Sequence, residues 1–185
     1  MTMQLRVEPA SAEHEEELLQ FLTSIEGADR TFLGAQATEP ATIGRMVRQE
    51  GGRHYVALAA PDDGASSRII GFSGVTLGSG WSSHVGQLRV VVAPGQRGRG
   101  LGGQLALAAL AGALACGLEK VVVEVRSDQV PVQNLFAQLG FRPEALLTDH
   151  LKGPDGTTHD LLTLAHRVEE VSGLLIATGL GQAQA

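Results

Sequence analysis

Apolar positions along the chain change period several times, and each change marks an element. Leu5 and Val7 alternate with polar neighbours and stop at Pro9, which reads as a short strand. Ser11 then stands as an N-cap, with Glu13, Glu15, Glu16 and Glu17 at the positive end of a helix. Leu18, Leu22 and Ile25 give that helix one apolar face. After a mixed loop over 26–37, a second helix is expected from Pro40 to Glu50, stopped by Gly51-Gly52.

The middle of the chain changes to period two and then to solid apolar runs. His54–Ala60 and Arg68–Leu77 read as strands joined by the turn residues Pro61-Asp62-Asp63-Gly64-Ala65. Val85–Ala93 reads as a central strand. Leucines at 101, 105, 107, 110, 114 and 118 spread around a helix closed by Gly117, which must lie buried against a sheet. Val121-Val122-Val123-Glu124-Val125 is another buried strand. A short helix follows, with Pro131 in its first turn, the stripe Val132, Leu135, Phe136 and Leu139, and Gly140 as its stop. Two further strands, Ala145–Lys152 and Thr158–Leu164, flank the hairpin signal Gly153-Pro154-Asp155-Gly156. The order β-α-α-β-β-β-α-β-α-β-β predicts a mixed α/β sheet.

Composition narrows the class. The 185 residues suffice for one domain with a real core, and 43% apolar with 18% charged residues fits a globular chain. A net charge of -6 argues against nucleic acid as a partner. The single cysteine, Cys116, excludes an intramolecular disulfide and reads as a small buried hydrophobe in a reducing cytoplasm. No signal-peptide pattern begins the chain, and no apolar run approaches the roughly 20 residues of a spanning helix, so neither secretion nor a membrane is expected.

The chemistry concentrates after the strand that ends at Pro94. Gln96-Arg97-Gly98-Arg99-Gly100-Leu101-Gly102-Gly103 is a glycine-rich turn leading into the long apolar helix. Glycines leave backbone N–H groups unobstructed, and a helix start adds roughly half a positive charge, so the segment is an anion site suited to phosphate oxygens. A plain flexible turn is the bland alternative. A dinucleotide fold is another, because Gly98-x-Gly100-x-x-Gly103 satisfies GxGxxG and Asp128 closes the next strand. That fold needs several more βα units than the pattern provides.

Arg97-x-x-Gly100-x-Gly102 resembles the central motif of the GNAT superfamily of N-acyltransferases, and Leu135-Phe136-Ala137-Gln138-Leu139-Gly140-Phe141 resembles its second signature. The resemblance implies a single-domain, mostly antiparallel sheet over residues 1–167, flanked by helices, with one parallel strand pair splayed at the cofactor site. It implies an enzyme that moves an acetyl group from acetyl-CoA to a primary amine by direct attack in a ternary complex, with no metal. The pyrophosphate falls to Arg97, Gly98, Arg99, Gly100, Leu101 and Gly102, and the pantetheine arm to Val90, Val92 and Gln129. Where the family commonly has a tyrosine to protonate the leaving thiolate, this chain has Phe136; where it often has asparagine, this chain has Gln129. Phe136 keeps open a regulatory member that binds acyl-CoA without transfer, and a nucleotide-binding oxidoreductase is the further alternative.

A base is also needed, because only a neutral amine attacks. His84, just before the central strand, is the expected residue, set against the reading of a loop histidine without a role. The acceptor is expected at loop 26–37, the following helix and the closing hairpin, with Glu26, Asp29 and Glu39 favouring a cationic amine. Residues 168–185 are expected as a terminal helix and a disordered tail. Their Leu174-Leu175-Ile176 cluster would dock on its own domain or, preferentially, on a second copy.

Overall fold

The structure, a computed structural model, describes residues 3–26, 35–61, 67–153 and 155–170. Strands β1 (Met3–Pro9), β2 (Gly52–Pro61), β3 (Arg68–Leu77), β4 (Val85–Val92), β5 (Lys120–Arg126), β6 (Arg142–Lys152) and β7 (Thr158–Arg167) form one sheet. Its order is β1-β2-β3-β4-β5-β7-β6, and every pairing is antiparallel except β4 with β5. Helices α1 (Glu15–Ser24), α2 (Pro40–Val47), α3 (Leu101–Ala115) and α4 (Val130–Gln138) pack on it. The element order is the one expected from the sequence.

Strand alternation sorts side chains between two cores. On β2, Val56 and Leu58 join Leu18, Leu22 and Ile43 beneath α1 and α2, whereas Ala57 and Ala59 face Leu101 and Leu105 of α3. The third cluster lies between α3, α4 and the valines at 121, 123 and 125 of β5. Each large side chain so buried contributes about 1.5–3 kcal/mol. The helix expected to be apolar on all sides is α3, and seven of its residues are buried.

Two boundaries differ from the sequence reading for local reasons. A 3-10 turn, Ala12–His14, precedes α1; the Ser11 N–H donates to His14 Nδ1 at 3.1 Å, so Ser11 caps the turn rather than the helix. Helix α2 ends at Val47, short of Glu50, because Gln49 adopts φ 59°. The Gln49 side chain donates to the Ala10 and His54 carbonyls and accepts the His54 N–H, tying the helix end to β1 and β2. Val168, in a 3-10 turn after β7, is buried, and its N–H donates to the Glu119 carbonyl. The Leu174–Ile176 cluster, the turn at 62–66 and Asp29 lie outside the described residues. Among the described residues no helix is long and apolar enough to cross a membrane.

Candidate functional site

Strands β4 and β5 are in register only at Val85–Lys120, Gly86–Val121 and Gln87–Val122. Beyond these pairs β4 continues to Val92 and β5 to Arg126, so the two separate like an opening fork. The gap is the mouth of a cavity of about 760 Å³. Its walls come from β4, β5, the glycine loop, α4 and the tip of the β6–β7 hairpin.

Along β4 the gap has exposed backbone to offer. The Ala93 N–H donates to Ile70 of β3 at 2.9 Å, so alternate residues turn their backbone groups to β3. Val90 and Val92 therefore turn theirs toward the gap, and both line the cavity. The Val92 carbonyl accepts a bond from Arg97 Nε at 3.1 Å, which fixes the loop against the strand end.

The loop itself is shaped by two left-handed glycines, Gly98 at φ 74° and Gly100 at φ 80°. Gly100 is the N-cap of α3, and its carbonyl accepts the N–H groups of Gly103 and Gln104. Those bonds start the helix and leave the amides of Leu101 and Gly102 directed past its end, the arrangement that binds anions. A Cβ at Gly102 would meet Leu135 of α4 at 3.4 Å, an ordinary contact. Arg97, Gly98, Gly100 and Gly102 line the cavity. The Leu101 side chain is buried in the core, so only its backbone is offered. Arg99 is exposed at the loop surface and donates to Gln96 Oε1 at 3.3 Å. Gln129 caps α4 at the cavity wall.

Phe136 is buried beside the cavity and meets Phe141 edge-on at 5.1 Å, so its position offers no proton donor. His84 is exposed just before β4, and its carbonyl accepts the Glu119 and Lys120 N–H groups where the two strands are still joined. It stands three residues before Gln87, about 10 Å along a strand, on the closed side of the fork, and is not among the cavity-lining residues. The structure therefore does not bring His84 to the gap. His54 is buried against Phe72, and Asp160 accepts the Asp149 N–H within the closing hairpin.

Glu124, to which the sequence pattern assigns no role, reaches the cavity, as do Asp155 and His159, which the pattern assigns to the closing hairpin as structural residues. Glu124 had a legible signal, a lone charge inside a run of valines. Its partner had none, because Gln87 Nε2 donates to Glu124 Oε2 at 3.0 Å across the parallel pair, 37 residues away in sequence. Asp128 is held by Arg126 at 2.8 and 2.6 Å, and that hydrogen bond keeps its carboxyl below the usual carboxylate range. It is thus engaged within the fold, and the single parallel pair among the described residues leaves no doubly wound half there for a dinucleotide. One trio of potential metal donors occurs among the described residues, Glu8, Glu13 and His14, and none of them lines the cavity.

A mixed sheet that opens between two parallel strands, with a glycine-rich helix start at the opening, defines an α/β domain whose cavity is edged by an anion-suited loop. Its family follows from comparison. The family model for the acetyltransferase (GNAT) family matches residues 16–141, and the chain belongs to that family of acyltransferases.

Solved structures agree at the level of the fold. A putative acetyltransferase from Acinetobacter baylyi is 16% identical, with a TM-score of 0.75 over 90% of this chain and 94% of that one. A putative acetyltransferase from Salmonella typhimurium, solved with its cofactor acetyl-CoA, is 19% identical, with a TM-score of 0.68 over 90% and 95%. A chimera of the Vibrio cholerae spermidine N-acetyltransferase is 14% identical, with a TM-score of 0.70 over 91% and 98%. Comparison with curated proteins gave no match.

Proposed function

We propose that the protein is an N-acetyltransferase that carries an acetyl group from acetyl-CoA to a primary amine while both are bound. The observation that carries this reading is the juxtaposition at the fork: backbone groups of Val90 and Val92 turned into a gap that ends at the α3 N-terminus. In this reading the amides from Gly98 to Gly102, with Arg97 beside them, hold the pyrophosphate, and Arg99 adds charge from the loop surface. The β4 backbone at Val90 and Val92 has the extended geometry that a pantetheine amide pairs with, and Gln129 supplies a further amide from α4. When bound, acetyl-CoA supplies an activated thioester. The chain's own part is to align that group, exclude water with Val123, Val125, Val132 and Leu135, and direct a backbone N–H at the carbonyl oxygen. Phe136 assigns proton return to water or another group rather than to a phenol.

The test is a melting curve followed by a thiol-release screen. Acetyl-CoA at 100 times its Kd stabilises by about 2.7 kcal/mol, a rise of roughly 5–10 °C for a chain of this size. Amines, polyamines and peptides with free N-termini then serve as acceptors. No thermal shift at millimolar acetyl-CoA overturns the reading; a shift without thiol release favours a binding-only member of the family.

A further inference from the structure

The fork holds a polar pair that the glycine loop does not explain. Gln87 is the last β4 residue in register with β5, and Glu124 lies two residues past the last β5 partner. Alternation places Gln87 and Arg89 of β4, Glu124 and Arg126 of β5, and Thr163 of β7 on one face. Val121, Val123 and Val125 point the other way, into the core under α3 and α4. The glycine loop and α4 approach the cavity from the valine side, and Glu124 lines it from the opposite side.

A half-buried carboxylate is costly unless it has partners. The Gln87 bond uses one of about four acceptor positions on Glu124, so the group retains capacity for a donor brought by a ligand. The charged or titratable groups that share the cavity with it are Arg97, Arg126 (itself paired with Asp128), His159 of β7, and Lys152 and Asp155 at the hairpin tip, and Arg89 lies on the same sheet face.

We propose that Glu124 binds the ammonium group of the acceptor amine and takes its proton, and that Gln87 positions the carboxylate for this. The proposal rests on the acetyltransferase reading. One ammonium proton passes to the Glu124 carboxylate, leaving a neutral amine. As the nitrogen forms its bond to the acetyl carbon, the carbon–sulfur bond breaks, the nitrogen's second proton is lost through solvent, and the thiolate takes a proton from solvent. Glu124 then returns its proton to water.

Two small amines separate this role from a structural one. Butylamine is protonated at neutral pH, whereas hydroxylamine is largely neutral and has no proton to give up first. In the full chain, Glu124→Gln is expected to lower butylamine-dependent thiol release by about 100-fold or more and hydroxylamine-dependent release by less than tenfold. The acetyl-CoA melting shift is expected to survive. Gln87→Leu removes the donor at similar volume. It is expected to lower butylamine-dependent kcat by about tenfold and hydroxylamine-dependent kcat by much less, with the acetyl-CoA melting shift kept.

Equal losses with both amines, loss of the melting shift in Glu124→Gln, or an unchanged butylamine rate in Gln87→Leu overturns the proposal. A wild-type protein that acetyl-CoA stabilises but that turns over neither amine overturns it while leaving the cofactor reading intact. No melting shift in the wild type overturns both.

Discussion

At Gly100 two demands fall on one residue: a left-handed backbone at φ 80° and an unobstructed amide at the cavity wall. Nothing lies within 4 Å of a Cβ built there, so alanine meets strain without a clash. Gly100→Ala is expected to cost about 1–2 kcal/mol in urea unfolding and to keep the acetyl-CoA melting shift. Gly100→Glu carries the same strain plus a negative charge at the anion site, and is expected to lose the shift. If Ala and Glu respond alike, the loop is not the anion site. His54 poses a different case: burial pushes its imidazole down to about 4. Because the folded form resists the proton that the unfolded chain accepts, stability is complete above pH 6.5 and falls as pH drops toward 4. The loss is on the order of 3 kcal/mol, and His54→Leu, though less stable at pH 7, should show a flatter slope over that interval in melting temperature.

Among the elements, α3 makes the closest approach to the sheet. A Cβ at Gly112 would lie 2.7 Å from the Arg53 Cβ and 2.8 Å from the Tyr55 hydroxyl oxygen. Gly112→Val should therefore force helix and sheet apart, costing about 1–3 kcal/mol in denaturant unfolding. An unchanged midpoint would show that the packing yields. At this scale the sequence was highly legible, because α3 and β5 advertise burial through composition alone. What escaped was decided by side-chain bonds to distant backbone. Gln49 ends α2 by bonding Ala10 and His54, and no local pattern at Gln49 announces those partners. Strand β6 likewise starts at Arg142, before the Ala145 that the sequence pattern predicts, because its side chains are exposed almost throughout and follow no alternation.

At the scale of the whole molecule, the site is a consequence of strand order. Among the described residues β4 and β5 are the one parallel pair in an otherwise antiparallel sheet, and their register lasts for three residues before the fork opens. The glycine loop was visible in the sequence because phosphate-type chemistry requires consecutive small residues at a helix start, a local demand that leaves a local trace. The element order and the apolar faces were visible for the same reason. The pairing of Gln87 with Glu124, the distance of His84 from the gap and the hairpin tip at the cavity wall were settled by tertiary structure alone. Each depends on where two strands stop pairing, and that is fixed by the packing of helices on both faces of the sheet, not by the residues within either strand.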